Sequence, residues 1–119
     1  MYDHIGLKVN DLEASVRFYT AALGELGHLL TPGDASGAGL GPQGAPALWL
    51  SAHKGAHTPV HVAFTALSRD AVDAFYRAGL KARGRDNGAP GVRADYGPSY
   101  YAAFLLDPDG NNVEAVCLK

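Results

Sequence analysis

The chain carries an internal repeat whose two copies start 57 residues apart, at His4 and His61. Aligning residues 4–27 with 61–84 without a gap gives seven identities in 24 positions, including both Phe-Tyr pairs. A fixed internal period indicates a duplicated structural unit. Each half, with about 57 residues, is only marginally large enough to be stable alone, so the halves are expected to pack on each other or on a second copy. The repeat also supplies two equivalent histidines, which pseudo-twofold packing could bring to one metal-binding point.

The composition excludes several classes of function. With 119 residues, the chain is predicted to form a single domain, with one module over about 1–56 and another over about 57–119. A net charge of −2 and scattered basic residues predict no nucleic-acid partner and no anionic membrane partner. No apolar run could span a bilayer, and the N-terminus lacks the pattern of a signal peptide. The single cysteine excludes an internal disulfide, and together these features predict a soluble, cytoplasmic protein.

Each half is predicted to contain a strand, a helix and then two or three antiparallel strands. The pair Asn10–Asp11 supplies an N-cap for a helix over 12–23, and Ser68 caps a second helix over 69–78 that ends at Gly79. The predicted strands cover residues 3–9, 25–31, 46–51, 60–66, 80–85, 99–106 and 111–118.

Two long connections interrupt this pattern. The glycine-rich segment 33–46 precedes a strand and not a helix, so it is predicted to be a flexible hairpin connection and not a phosphate-binding loop. The segment 86–98 is predicted to be a long loop that is present in the second half only. A long loop in one copy of a repeat indicates a functional role, and we expect this loop to cover the mouth of a site.

A carboxylate and two histidines are the candidate ligands of a metal. Glu114 lies between apolar neighbours in the last strand, and an inward-facing carboxylate is costly unless it is paired, protonated or bound to a cation. His61 also has apolar neighbours, and His4 has them to a lesser degree. Two histidines and one carboxylate from separate strands form the facial triad typical of mononuclear Fe(II) sites, which also accepts other divalent metals. The alternatives are structural histidines and an ion pair from Glu114 to Arg93 or Lys8.

The motifs resemble those of the vicinal oxygen chelate superfamily, which includes glyoxalase, bleomycin-resistance and extradiol-dioxygenase proteins. The resemblance covers essentially the whole chain and rests on Asp3–Leu7, Phe18–Tyr19, Val60–Phe64 and, most specifically, Tyr100–Phe104 followed by Asp107–Val116. It implies an α+β fold in which two paired βαβββ modules form a curled, mostly antiparallel open barrel around a central site. It also implies that His4, His61 and Glu114 hold a divalent metal ion such as Fe, Mn, Zn or Ni.

The resemblance implies a small-molecule metalloenzyme in which the metal chelates vicinal oxygens of the substrate, as a lyase, dioxygenase or transferase. One departure is informative: where glyoxalases place a further acidic or amide ligand, this chain offers Leu48 or Trp49. Without a second carboxylate, the proton-shuttling isomerase reaction lacks its base. The remaining set is more similar to extradiol dioxygenases or fosfomycin-modifying transferases.

Tyr101 is the candidate catalytic residue, although it alternates with Tyr100 and only one of the two is expected to face the cavity. Trp49, Tyr101 and Arg93 are expected to line the substrate pocket. His53 and His57 are alternative acid–base groups for a dioxygenase, but their position after a strand predicts that they are exposed to solvent.

A second hypothesis is a metal-free protein of the bleomycin-resistance type, which binds or sequesters a small molecule such as an antibiotic in an aromatic-lined groove. Trp49 at a possible ligand position favours it, whereas the survival of three ligand types opposes it. Both hypotheses predict a homodimer, since open sheets leave edges to cover. Whether the site lies within one chain or is shared by two is left open. Cys117 is predicted to be a core residue.

Overall fold

The computed structural model of the chain describes residues 1–119, and each half contains one helix and four strands. The first half comprises β1 (Ile5–Val9), α1 (Leu12–Gly24), β2 (Leu29–Asp34), β3 (Gly37–Gly41) and β4 (Leu48–Ala52). The second half comprises β5 (His61–Thr65), α2 (Arg69–Lys81), β6 (Arg85–Val92), β7 (Tyr101–Leu106) and β8 (Asn112–Cys117). The predicted α+β fold of two paired βαβββ modules is confirmed, and the sheets stay open and do not close into a barrel.

The two helices repeat the period of the sequence, because α2 starts and ends 57 residues after α1. Each helix is preceded by a capping residue whose side chain accepts a hydrogen bond from the backbone N–H three residues later in the sequence. Asp11 accepts from the Ala14 N–H and Ser68 from the Ala71 N–H, both at 3.1 Å. Such caps satisfy an otherwise unpaired N–H of the first turn, and each stabilises its helix by about 1 kcal/mol.

The eight strands form two four-stranded sheets with the same topology. Sheet 1 has the order β1-β4-β3-β2 and sheet 2 the order β5-β8-β7-β6, with a parallel first pair and antiparallel pairs elsewhere. The registers also correspond, since Gly6 pairs with Trp49 in sheet 1 and Ala63 pairs with Glu114 in sheet 2. Helix α1 packs on sheet 1, α2 packs on sheet 2, and the helices pack on each other. Each sheet therefore has one face on the core and one open face.

A single hydrophobic core joins the two halves. It contains the fully buried Phe18 and Tyr19 of α1 and Phe75 of α2, together with inward side chains of both sheets. Cys117 is buried in this core, as predicted. Neither helix is long and apolar enough to cross a membrane.

The prediction of a hairpin connection over 33–46 is wrong, because strand β3 occupies the centre of that segment. Ala38 and Leu40 of β3 are buried in the core, while Gly37, Gly39 and Gly41 alternate with them and lie on the open face. Glycine is depleted in strands, so this composition hides the alternation that marks a half-buried strand.

The prediction of a loop over 86–98 is wrong for its first part, because β6 extends from Arg85 to Val92. Only residues 93–100 connect β6 to β7. The pairing of β6 with β7 shifts register on both sides of Gly88, which has a φ of +150°. An irregular edge strand tolerates glycine, and it also tolerates Pro90, because an edge position does not require every N–H to be paired.

Gly79 does not end α2, which continues to Lys81. Position 79 requires glycine because neighbouring side chains pack closely against it. A Cβ there would lie 2.2 Å from Leu105 Cδ1 and 3.3 Å from Phe18 Cε1. Helix α2 therefore approaches β7 and α1 more closely than a larger residue would allow. The other predicted helix and strand boundaries, except those of β6, lie within four residues of the observed ones.

Replacement of Gly79 by alanine is expected to lower the free energy of unfolding by about 1–3 kcal/mol, because the added methyl group overpacks the core. Gly24→Ala in α1 is the matched control, since a Cβ there meets nothing within 4 Å. The control should be neutral or stabilising by up to about 1 kcal/mol, because alanine favours helix more than glycine does. Urea unfolding of both variants measures the difference, and equal effects would contradict the close-packing explanation.

Candidate metal and substrate site

The open face of sheet 2 carries a paired histidine and glutamate. Glu114 lies in β8 beside the parallel strand β5, in register with Ala63, so it is close to His61 at the start of β5. His61 Nε2 donates to Glu114 Oε1 at 2.8 Å. The side chain of Glu114 is 2% exposed, whereas that of His61 is 53% exposed. A buried carboxylate thus has a partner that solvent and a ligand can reach.

Tyr100 contacts the same carboxylate from the other side. Its hydroxyl donates to Glu114 Oε2 at 2.5 Å. This hydrogen bond, with smaller contributions from burial and from the carboxylate charge, raises the pKa of Tyr100 to about 12. The phenol therefore remains protonated and remains a donor near neutral pH.

Tyr101, the candidate catalytic residue from the sequence, lies on the opposite face of β7. Its hydroxyl donates to Asp73 of α2 at 2.6 Å, and this hydrogen bond raises its pKa. Arg69 lies over its ring at 4.9 Å from the centroid. The register decides which tyrosine faces Glu114, since Phe104 pairs with Glu114 and even-numbered residues of this segment share that face.

His4 does not join this pair within the chain. Its Nδ1 lies 2.7 Å from Asp3 Oδ1 and its side chain is 57% exposed. It lines a cavity of about 200 Å³ between the halves, together with His28 and Phe64. The chain contains no group of three or more His, Cys, Asp or Glu side chains placed to hold a metal ion. The structure therefore brings together two of the three predicted ligands.

Trp49 occupies the position in sheet 1 that Glu114 occupies in sheet 2. It pairs with Gly6 and with Gly39, just as Glu114 pairs with Ala63 and Phe104. The indole lies over Gly39, where a Cβ would be 2.8 Å from the ring. Trp49 is 38% exposed, so it offers an accessible aromatic surface in place of a second carboxylate.

The remaining wall of the site comes from β7 and the connection before it. An open cavity of about 560 Å³ lies beside Glu114 and is lined by His61, Asp95, Tyr96, Tyr100, Phe104 and Glu114. The guanidinium of Arg93 lies over the Phe104 ring at 5.3 Å and donates to the Ala89 carbonyl at 2.6 Å. Arg93 therefore packs on Phe104 and is not among the residues that line this cavity, and it makes no ion pair with Glu114.

His57 is less exposed than the sequence predicts, because the turn between β7 and β8 covers it. Its side chain is 17% exposed, and its Nε2 lies 4.0 Å from Asp109 Oδ1. Asp109 also accepts from the Asn10 N–H at 2.9 Å, so this turn of the second half contacts the start of α1. His57 thus belongs to a contact between the halves and not to the cavity beside Glu114.

Asp107 of the same turn is a fully buried carboxylate. It accepts from the Tyr19 hydroxyl at 2.5 Å, from the Asp109 N–H at 2.9 Å, and from the N–H and side-chain amide of Asn111 at 2.8 and 2.9 Å. Burial, the Asp107 charge and this hydrogen bond raise the pKa of Tyr19 well above its usual value. These bonds satisfy the carboxylate without a metal, so we assign it a structural role.

Comparison with known proteins identifies similar chains. The model of the Glyoxalase/Bleomycin resistance protein/Dioxygenase superfamily matches residues 2–115. A crystal structure of a glyoxalase/bleomycin resistance protein from Albidiferax ferrireducens is 31% identical, covers 98% of both chains and has a TM-score of 0.80. A putative glyoxalase from Bacillus halodurans is 26% identical, covers 98% of this chain and 95% of its own, and has a TM-score of 0.75.

A lactoylglutathione lyase from Agrobacterium tumefaciens shares the fold at 19% identity, with a TM-score of 0.70 and coverage of 96% of this chain and 90% of its own. A likeness at this level of identity concerns the fold alone. No curated protein matches the chain.

Proposed function

Because the chain belongs to the glyoxalase/bleomycin resistance protein/dioxygenase superfamily, we propose that it is an enzyme that holds a divalent metal ion with His61, Glu114 and His4. Its substrate is a small molecule that presents two neighbouring oxygen atoms to the metal. The observation that carries the proposal is the buried Glu114 carboxylate, which is hydrogen-bonded to an accessible imidazole at 2.8 Å.

The spacing of this donor pair fits a metal. Two neighbouring ligands of an octahedral ion, with bonds of about 2.0–2.1 Å, lie about 2.9 Å apart. The 2.8 Å between His61 Nε2 and Glu114 Oε1 is close to this separation. Without a metal, one proton bridges the same two atoms. A divalent ion would displace that proton, and the imidazole would turn so that His61 Nε2 and Glu114 Oε1 both face the ion; this ligand set suits Fe, Mn, Zn or Ni.

A bound metal would act as a Lewis acid that orients two substrate oxygens and stabilises the negative charge that develops on one of them. The side chains around it limit the reaction type. Isomerisation of the glyoxalase I kind uses a second carboxylate to move a proton beside a carbonyl. Trp49 occupies the equivalent position and has no group that exchanges such a proton, which favours an oxygen-adding or group-transfer reaction over an isomerisation.

The substrate pocket is proposed to combine the two open faces. Trp49 offers an aromatic surface to an apolar or planar part of the substrate, since its indole lies flat over Gly39. Arg93 is held over Phe104, a residue that lines the cavity, and is proposed to reach the substrate from there. Tyr101 is not included, because its hydroxyl is bound to Asp73 on the core face of β7.

A second copy of the chain is proposed to complete the site. His4 in the first half corresponds to His61 in the second. His4 precedes Gly6, the partner of Trp49, by two residues, just as His61 precedes Ala63, the partner of Glu114. If sheet 1 of one copy faces sheet 2 of another about a twofold axis, His4 of the first approaches the His61–Glu114 pair of the second, and two equivalent sites form. The open face of sheet 1 and the cavity beside Glu114 expose aromatic side chains that such a dimer would cover, namely Trp49 and Tyr96.

Glu114→Gln tests the proposal directly. The wild-type chain, with a C-terminal tag because His4 is near the N-terminus, should retain close to one divalent ion per chain after purification without oxygen or chelator. The variant should retain less than about a tenth of an ion, because a neutral amide is a poor ligand and leaves the site without its negative charge. Elemental analysis of both proteins measures the metal content.

Glu25→Gln is the matched control, since Glu25 is exposed and forms no side-chain hydrogen bond or ion pair. It should retain as much metal as the wild type. Little metal in the wild type, even after reconstitution with Fe²⁺, Mn²⁺, Zn²⁺ and Ni²⁺, would overturn the proposal. That outcome would favour the second candidate function, a metal-free binding protein, for which the exposed indole of Trp49 is the specific supporting observation.

A further inference from the structure

The Glu114 carboxylate is held at both of its oxygens by different side chains. His61 Nε2 donates to Oε1 at 2.8 Å, and the Tyr100 hydroxyl donates to Oε2 at 2.5 Å. We infer that Tyr100 is a positioning residue, which fixes the carboxylate so that a single oxygen, Oε1, is directed with His61 at the ligand. This inference rests on the proposed function, because it specifies how that function's carboxylate ligand is prepared.

Tyr100 is itself firmly anchored. Its carbonyl accepts from the Arg93 N–H at 2.7 Å and its N–H donates to the Gly97 carbonyl at 3.3 Å, which closes the 93–100 connection into a compact loop. The Tyr96 ring contacts the Tyr100 ring edge-on, with centroids 5.2 Å apart. The backbone hydrogen bonds and the contact with Tyr96 therefore hold the Tyr100 side chain in one orientation.

The consequence is a carboxylate that needs no rearrangement when a ligand binds. A glutamate side chain has three rotatable bonds, and ordering it on binding costs free energy. Here the Tyr100 hydrogen bond orders Glu114 in advance, and the 2% exposure of the carboxylate excludes most competing water. Side chains that orient metal ligands in this way typically change metal affinity by about 10–100-fold when they are removed.

Tyr100→Phe removes the hydroxyl and leaves the ring. Tyr101→Phe is the matched control, because this neighbouring tyrosine points to the opposite face of the sheet and loses only a bond to Asp73. The affinity of each protein for Co²⁺ is measured by competition with a chromophoric chelator, and the visible absorption of the bound Co²⁺ reports its coordination. We expect binding about 10–100-fold weaker, and an altered Co²⁺ spectrum, for Tyr100→Phe. Tyr101→Phe should match the wild type in both, whatever either variant does to the melting temperature.

Equal Co²⁺ affinity and spectrum in wild type and Tyr100→Phe would overturn the inference. If the wild type binds no metal, the proposed function fails separately, and the crystal structure of Tyr100→Phe then decides the role of Tyr100. A Glu114 carboxylate that rotates away from His61 would support positioning by Tyr100. A Glu114 that keeps its hydrogen bond to His61 unchanged would overturn it.

Discussion

An equal mixture of His4→Ala and Glu114→Gln chains, refolded together, is expected to recover about one quarter of the wild-type metal content, although each variant alone retains almost none. The reason is the geometry proposed for the dimer, in which each site takes His4 from one copy and the His61–Glu114 pair from the other. Random pairing makes half of the dimers mixed, and one of the two sites in a mixed dimer is intact, which gives about one quarter of all sites. Elemental analysis of the refolded mixture measures the recovery.

Mixing His61→Ala with Glu114→Gln is the matched control. Both changes lie in sheet 2, so every site in a mixed dimer lacks one ligand and no metal should return. Recovery only in the first mixture would establish a site shared between copies. Absence of recovery in both, with the wild type still loaded with metal, would contradict the shared site.

The helices are the part of the fold that the sequence predicts best, because their signals are local. Asp11 and Ser68 each cap a helix through a hydrogen bond that spans three residues, and the 57-residue period supports one helix with the other. The strands β3 and β6 are harder to predict, since glycine and proline weaken the alternation that identifies strands. The role of Gly79 depends on the distance to Leu105 and Phe18, which no local pattern encodes.

The residues of the site also differ in whether neighbouring sequence or distant contacts determine their positions. His61 and Glu114 can be predicted because each interrupts an apolar strand, where a polar side chain needs a partner. The choice between Tyr100 and Tyr101 depends on the register of β7 against β8, and a shift of one residue would exchange them. The position of His4 relative to Glu114 depends on how the halves and copies pack, so the repeat predicts that the histidines are equivalent but not where they meet.

Asp107→Ala is expected to lower the free energy of unfolding by about 3–5 kcal/mol, because it removes the acceptor of four hydrogen bonds in a fully buried position. The Tyr19 hydroxyl, the two Asn111 donors and the Asp109 N–H would lose their partner, and water has little access to replace it. The melting temperature should fall by about 10–20 °C. Thermal and urea unfolding measure both quantities, with the exposed Asp95→Ala as a control expected to change stability by no more than about 0.5 kcal/mol.

Tyr19→Phe separates the two contributions of Asp107. Tyr19 belongs to α1 of the first half, whereas Asn111 and Asp109 belong to the same turn as Asp107 in the second half. Removing the Tyr19 hydroxyl takes away only the bond from Asp107 to the first half and leaves three donors on the carboxylate, so a loss of about 1–2 kcal/mol is expected. If Tyr19→Phe destabilises the protein as much as Asp107→Ala does, the carboxylate acts mainly as a clamp between the modules. If Asp107→Ala costs less than about 1 kcal/mol, the hydrogen bonds of Asp107 do not hold the second half against α1. The shared hydrophobic core and the Asp109–Asn10 contact must then do so.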